Sequence, residues 1–335
     1  MKYAVVGAGA IGGYLGAKLA LAGEDVTFIA RNRNLAAINS QGMQLLMPDG
    51  STQHASAVRA VEDPAHAGVQ DVVLLTTKAH QVRELLPGLR ALFGPQTVVV
   101  TMINGIPWWY FQKLGGVYDG QRLVSVDPDG ALATGIEIDR IIGSIVYPAA
   151  ELVQPGVVKV VEGNRFTLGE LDNQRTPRIE ALSKSLIAAG FKAPVSRDIR
   201  SEIWVKLWGN LTFNPVSALS HATLEDICTF PLTRELASRM MTEAQVVAEK
   251  LGVEFKVSLD QRIAGAQAVG AHKTSMLQDV EQGRALELEA LVGSVVELAR
   301  ITDTPTPTID AIYAVTALLA KTLRTQAGKL QVQNV

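Results

Sequence analysis

A single cysteine, Cys228, stands in 335 residues, so no internal disulfide can form and a reducing cytosol is the expected setting. It lies in LEDICTF with no metal-ligand partner close by and reads as a small buried hydrophobe. Histidine is scarce too. His54, His66, His80, His221 and His272 fall into no C-x-x-C or H-E-x-x-H pattern, so no metal site is expected. An excess of charge of either sign is missing: the formal net charge is −2, which gives no pointer to nucleic acid or to a membrane surface. No apolar run approaches the length of a transmembrane helix. Aromatic residues make up only 5% of the chain, yet three of them are consecutive, at Trp108, Trp109 and Tyr110.

What is present begins at once. In YAVVGAGAIGGYLGAKLALAG, a short β-branched run leads into Gly7, Gly9 and Gly12 in the spacing G-x-G-x-x-G, and an Ala/Leu-rich helical run closes at Gly23. Strand, glycine turn and helix in this order form the dinucleotide-binding fingerprint. Gly7 allows the tight turn, Gly9 lets the backbone approach a pyrophosphate, and Gly12 lets helix pack on strand. The N–H groups of the helix start then hold phosphate. With the motif starting at residue 7, no secretory signal is expected before it. The second strand, Val26–Ala30, runs out into Arg31-Asn32-Arg33 instead of the carboxylate that grips a ribose 2′-hydroxyl in NAD-preferring proteins. A guanidinium fork matches a 2′-phosphate, so the expected cofactor is NADP(H); the alternative is two solvated loop arginines.

Length predicts two domains. DVVLLTT (71–77) and TVVVTMI (97–103) extend a mostly parallel sheet around a helix near 81–92. RLVSVDP, IIGSIVYPA, GVVKVVEG and RFTLGE read as four shorter strands. From Asp198 onward helical spacing dominates, over 198–214, 231–251, 258–272, 285–302 and 306–327. The expected architecture is an α/β Rossmann-type domain over 1–197 followed by an all-α domain over 198–328. The substrate would sit in the cleft against the helical domain. Apolar helices in the second domain fit either a homodimer or one large buried core.

Lys78 and Asn104 stand at the carboxyl ends of two strands, where they either meet the cofactor or simply end strands. In DIRSEIWVKLWGNLTFNP, Lys206, Asn210 and Asn214 recur every four residues, within an arc of about 80° on a helix. A lysine and two amides beside Ile203, Leu207 and Leu211 need partners or a ligand. Ser275 and Glu287, in HKTSMLQDVEQGRALELEALVGS, would lie about 18 Å apart on one straight helix. A break at Gly283, with a new helix starting near Ala285 or Leu286, would turn both toward the cleft. A dinucleotide, a lysine able to donate a proton and amide donors together suggest reduction of a carbonyl group.

With these residues in view, the chain resembles the ketopantoate reductases (2-dehydropantoate 2-reductases). GAGAIG, TTKAHQ, ING, EIWVKLWGNLTFNP and TSMLQD followed by GR and Glu287 carry the resemblance, which runs to about residue 325. It implies a helical domain like the C-terminal domain of 6-phosphogluconate dehydrogenase. It further implies a cytoplasmic enzyme that uses NADPH to reduce 2-dehydropantoate to (R)-pantoate, on the way to pantothenate and coenzyme A. Lys206 then matches the catalytic lysine, Asn210 and Asn214 the substrate-binding amides, and Ser275 the serine that binds the substrate carboxylate. Glu287 matches the carboxylate beside lysine and cofactor. Gly7, Ala8, Gly9, Ala10, Ile11 and Gly12 form the phosphate loop, with Arg31 for the 2′-phosphate. Lys78 and Asn104 are cofactor-side residues, Asn104 also reaching substrate, and Ala149 offers a backbone contact.

The chain departs from the family pattern in NGIPWWYFQKLGG, whose aromatics would either line a larger apolar pocket or bury a longer loop. It departs again in the long connection VYDGQRLVSVDPDGALATGIEIDR, in RALELE where R-x-T-E is common, and in lacking an asparagine around Thr223-Leu224. The competing readings are a reductase of another 2-oxo acid or bulkier ketone, and a non-catalytic NADP(H)-binding sensor.

Overall fold

A computed structural model describes residues 1–326, which fall into two compact units. The first comprises 1–103, 108–122 and 129–199; the second comprises 104–107, 123–128 and the chain from Arg200 onward. The expected limit of the helical domain at 328 lies outside the described residues.

In the first unit, β-branched runs make buried strands and glycine turns join them to helices. The elements are β1 (Lys2–Val6), α1 (Ala10–Leu21), β2 (Asp25–Ile29), α2 (Asn32–Gln41), β3 (Met43–Leu46), β4 (Thr52–Ala55), β5 (Arg59–Val61), β6 (Gln70–Leu75), α3 (Val82–Leu89) and β7 (Phe93–Thr101). They continue with α4 (Ala131–Gly135), β8 (Ile141–Val146), β9 (Ala149–Gln154), β10 (Val157–Glu162), β11 (Phe166–Glu170) and α5 (Pro177–Ala188). Seven strands form one sheet in the order β11-β8-β7-β6-β1-β2-β5, parallel except for β11. The outward steps on either side of β1 place the β1 turn at a switch point, where ligands of such sheets bind. A second sheet, β4-β3-β10-β9, was not expected from the sequence; its strands pack against α1. Gly13 lets α1 pack closely on this sheet, since an added Cβ would meet Val158 at 2.7 Å, and Gly16 does the same toward β2, where the Cβ would meet Phe28 at 2.5 Å.

RLVSVDP is not a strand. Leu123–Pro128 belongs to the second unit as a turn, in which the Asp127 N–H donates to the Leu123 carbonyl at 2.9 Å. The Glu297 carboxylate accepts the N–H groups of Val124 and Ser125 at 2.7 and 2.8 Å. The segment closes on itself and gives its N–H groups to Glu297, so no neighbouring strand can pair with it, which is how a short β-like composition misleads.

The second unit is helical: α6 (Ile199–Ser220, its first residue counted with the first unit), α7 (Leu224–Thr229), α8 (Pro231–Lys250), α9 (Leu259–Ala268), α10 (Ser275–Glu281), a π-helical turn at Glu289–Gly293, α11 (Ser294–Ile301) and α12 (Pro307–Thr325). The expected 198–214 helix runs on to Ser220, through Pro215. The expected 258–272 helix stops at Ala268, close to Gly270 with its positive φ of 82°. The short α7 was missed; Thr223 caps it, bonding the Asp226 N–H through its hydroxyl. No described helix is long and apolar enough to cross a membrane.

Candidate active site

The glycine turn is built as its spacing predicts. Gly7 takes a φ of +101°, and an added Cβ at Gly12 would lie 2.1 Å from the Gly7 carbonyl oxygen. Thr76, at the end of β6, donates to the carbonyls of Val6 and Gly7 at 3.0 and 2.7 Å and fixes the turn from the neighbouring strand. At Gly9 an added Cβ would meet no atom within 4 Å, so the loop is open where a phosphate has to approach. Gly7, Ala8, Gly9 and Arg31 share a groove of about 280 Å³ with Asn34, Thr77, Gln81, Glu84 and Leu152 among its walls. Arg31 is exposed at the start of α2. A groove lined by a glycine turn at a helix start and by a guanidinium fits a phosphorylated dinucleotide.

Ala10 and Ile11 form the first turn of α1 and Gly12 is buried beneath it; none of the three lines the groove. Neither does Ala149, at the start of β9, although Leu152 of that strand does. Lys78 follows the end of β6, partly buried, with its N–H donated to Gln81 at 3.2 Å, outside the groove's lining. Sequence reading missed Asn34. Its amide donates to the Ala8 carbonyl, and its Oδ1 accepts the Gly156 N–H at 2.8 Å, so it ties the phosphate loop to α2 and to the β9–β10 turn. An asparagine one turn into the helix after β2 was the available signal.

Trp108 and Trp109 lie in the first unit and are packing residues. Trp108, Trp109 and Tyr110 are buried, Trp109 bonding Thr101 through its indole N–H at 3.0 Å with its ring against Gly143. Of the two readings of NGIPWWYFQKLGG, a buried loop is the one the structure carries.

In the second unit, α6 places Lys206, Asn210 and Asn214 at successive turns. Buried Ile203, Trp204, Leu207, Trp208 and Leu211 hold the helix in place. Lys206 donates from Nζ to Asn104 Oδ1 at 2.7 Å, and Asn104 donates from Nδ2 to Glu287 at 3.4 Å. Two turns along the same stripe, Asn214 donates to the Ser275 hydroxyl at 3.4 Å. Asn210 lies between them, partly buried. Some of the Lys206 surface stays open to solvent, but protein crowds its ammonium group. Burial lowers its pKa from 10.5 to about 8, with the Glu287 carboxylate opposing the shift.

Ser275 and Glu287 reach α6 because the helix between them is broken. Helix α10 ends at Glu281, Gly283 takes a φ of +63°, and helical structure resumes at Leu288 with Glu287 just before it. This is two or three residues later than the spacing suggested. Asp279 pins the turn, accepting from Arg284 Nε at 2.8 Å through its carboxylate and from the Arg284 N–H at 2.8 Å through its carbonyl.

A switch-point glycine cradle in an α/β unit, followed by a helical unit carrying a buried lysine among amides and a carboxylate, defines the class of two-unit dinucleotide oxidoreductases. The chain belongs to the ketopantoate reductase family. The family descriptions Ketopantoate reductase PanE/ApbA and Ketopantoate reductase PanE/ApbA C terminal match residues 3–173 and 198–320. It is 52% identical to a 2-dehydropantoate 2-reductase of Mesorhizobium japonicum, over 96% of this chain and 98% of the relative. The solved 2-dehydropantoate 2-reductase of Geobacter metallireducens is 27% identical with a TM-score of 0.83, covering 95% of this chain and 100% of that one. A D-mandelate dehydrogenase solved with NADH and anilino(oxo)acetate, 21% identical, shares the fold with a TM-score of 0.83 over 97% of this chain and 100% of its own.

Proposed function

We propose that this protein is a cytoplasmic enzyme that reduces 2-dehydropantoate to (R)-pantoate with NADPH. The observation that carries the reading is the Lys206–Asn104–Glu287 chain, with an ammonium whose pKa is brought down to about 8. The relative at 52% identity, named for this activity, supports the substrate.

The groove residues Gly7, Ala8, Gly9 and Arg31 would hold the cofactor, with Ala10, Ile11 and Gly12 forming the helix start behind the phosphates and with Lys78, Asn104 and Ala149 along its path. NADPH supplies the hydride when bound there. Lys206 supplies the proton to the carbonyl oxygen and, as a cation, stabilises the developing alkoxide. Asn104 accepts one ammonium hydrogen at 2.7 Å and so orients Nζ for the transfer. Glu287 keeps the ammonium from losing its proton too early. Asn210, Asn214 and Ser275 bind the substrate, Ser275 through its carboxylate. Burial of Trp108 and Trp109 removes the main reason to expect a bulky substrate.

The deciding experiment follows NADPH and NADH oxidation with 2-dehydropantoate beside a graded series of 2-oxo acids ending in aromatic ones. Preferred turnover of 2-dehydropantoate with NADPH is expected. Preference for an aromatic oxo acid would move the substrate, and tight NADPH binding without turnover of any ketone would leave a sensor. Arg31→Ala should weaken NADPH by about tenfold or more while leaving NADH nearly unchanged, since one charge-assisted phosphate contact is worth about 1.5–3 kcal/mol. Unchanged preference in the paired titrations would place 2′-phosphate recognition at another group.

A further inference from the structure

Asn104 is the centre of the polar chain, yet it sits in a connecting segment and not in a helix or strand. Segments of this kind need an anchor if they are to hold a catalytic group. The anchor is the π-helical turn Glu289–Gly293. The Ala290 carbonyl accepts the Ile106 N–H at 2.9 Å and also the Ser294 hydroxyl at 2.8 Å. Between Asn104 and Ile106, Gly105 has a φ of +85°, and an added Cβ would fall 2.1 Å from the Ala290 oxygen. Backbone therefore lies on backbone, with no room for a side chain.

The turn is itself braced from α12. Tyr313 Oη donates to the Glu289 carboxylate, 3.0 Å from each oxygen. Burial and the Glu289 charge push the Tyr313 pKa up, so the phenol stays a donor. The Glu289 carboxylate in turn folds back over Gly293, where an added Cβ would lie 2.2 Å from Oε2. π turns are rare and recur at functional sites because they re-aim backbone groups.

We propose that Gly105, Tyr313 and Glu289 are positioning residues: the braced π turn seats the 104–106 segment and so sets Asn104 between Lys206 and Glu287. The inference deepens the proposed reductase reading and rests on it for its kinetic consequence. The Lys206 titration does not depend on that reading.

The test compares Gly105→Ala and Tyr313→Phe with wild type by three measurements. These are the NMR titration of Lys206 in 13C-lysine-labelled protein (assigned with Lys206→Met), NADPH affinity, and kcat for 2-dehydropantoate. A displaced Asn104 takes away one Lys206 acceptor and its own bond to Glu287. Both losses disfavour the ammonium, so its midpoint should move to lower pH. Tyr313→Phe should show this shift with kcat reduced about tenfold, the size of one lost hydrogen bond's effect. Gly105→Ala should show a larger shift, and NADPH affinity should hold in both. If Gly105→Ala fails to fold, Tyr313→Phe and Gly293→Ala, which displaces Glu289 from the other side, decide the matter. A lower melting temperature with an unmoved Lys206 midpoint and wild-type kcat overturns the proposal. A shifted midpoint in a protein that reduces no oxo acid leaves the seat standing and overturns the reductase reading instead.

Discussion

Lys206→Ala should cut kcat for 2-dehydropantoate by about 10²–10⁴-fold, the range for removal of a general acid, while NADPH binds with nearly wild-type affinity. The argument starts from burial. With its pKa brought to about 8, Lys206 is still charged at neutral pH but gives up its proton far more readily than a surface lysine. Reduction needs the ammonium form, so kcat/KM should be flat below pH 8 and fall as pH rises through it. The reverse oxidation needs the free amine and should rise over the same interval. Linkage gives a second signature. The folded pKa lies below the ordinary 10.5, so keeping Lys206 charged opposes folding below about pH 8. That cost fades as pH climbs toward 10.5. Lys206→Met, which keeps the apolar stem, should therefore fold at least as stably as wild type at pH 7 and still be inactive. Parallel loss of NADPH affinity and turnover in Lys206→Ala would remove the residue from the chemistry.

The parts of this molecule that were legible in the sequence are those where a local pattern meets one physical demand. G-x-G-x-x-G demands a tight turn and close packing, and Gly7 and Gly12 meet that demand with a positive φ and a Cβ-sized exclusion. The four-residue spacing of Lys206, Asn210 and Asn214 became a stripe because α6 is one unbroken helix. Gly283 signalled a helix break because it is the residue that takes a left-handed φ without strain. What stayed hidden depends on partners far away in sequence. The second sheet pairs β3 with β10, more than a hundred residues apart: GVVKVVEG showed β10 as a strand, but nothing local names its partner, and the four-residue β3 and β4 carry little β signal of their own. Asn34 looks like any loop asparagine until Ala8 and Gly156 are brought to it. The turn at Leu123–Pro128 has strand-like composition, yet its N–H groups are taken by Glu297 instead of a neighbouring strand. The π turn cannot be read from ELEALVGS, since one extra residue in a helical ring leaves apolar spacing almost unaltered.

Gly9→Ala and Gly12→Ala should both weaken NADPH binding, but only Gly12→Ala should also destabilise the protein. At Gly12 a methyl would collide with the Gly7 carbonyl oxygen at 2.1 Å and with the Thr76 hydroxyl at 2.4 Å. The carbonyl is backbone and the hydroxyl is committed to it, so neither can move without breaking the bond that fixes the turn. Overpacking of this kind costs about 1–3 kcal/mol, and the opened turn would no longer present its N–H groups to phosphate. Gly9 differs on each count. Its backbone, at φ −76° and ψ −162°, is one that alanine adopts freely, and the added methyl meets no protein atom within 4 Å. The fold should be indifferent to it. The methyl would instead occupy the open space a pyrophosphate has to enter, so affinity should fall by about tenfold or more, at least 1.4 kcal/mol, with the melting temperature unchanged. Paired thermal melts and NADPH fluorescence titrations separate the two effects. A stable Gly9→Ala that binds NADPH as well as wild type would show that the phosphates do not cross the glycine turn, and Arg31 would then lose its role as the 2′-phosphate contact.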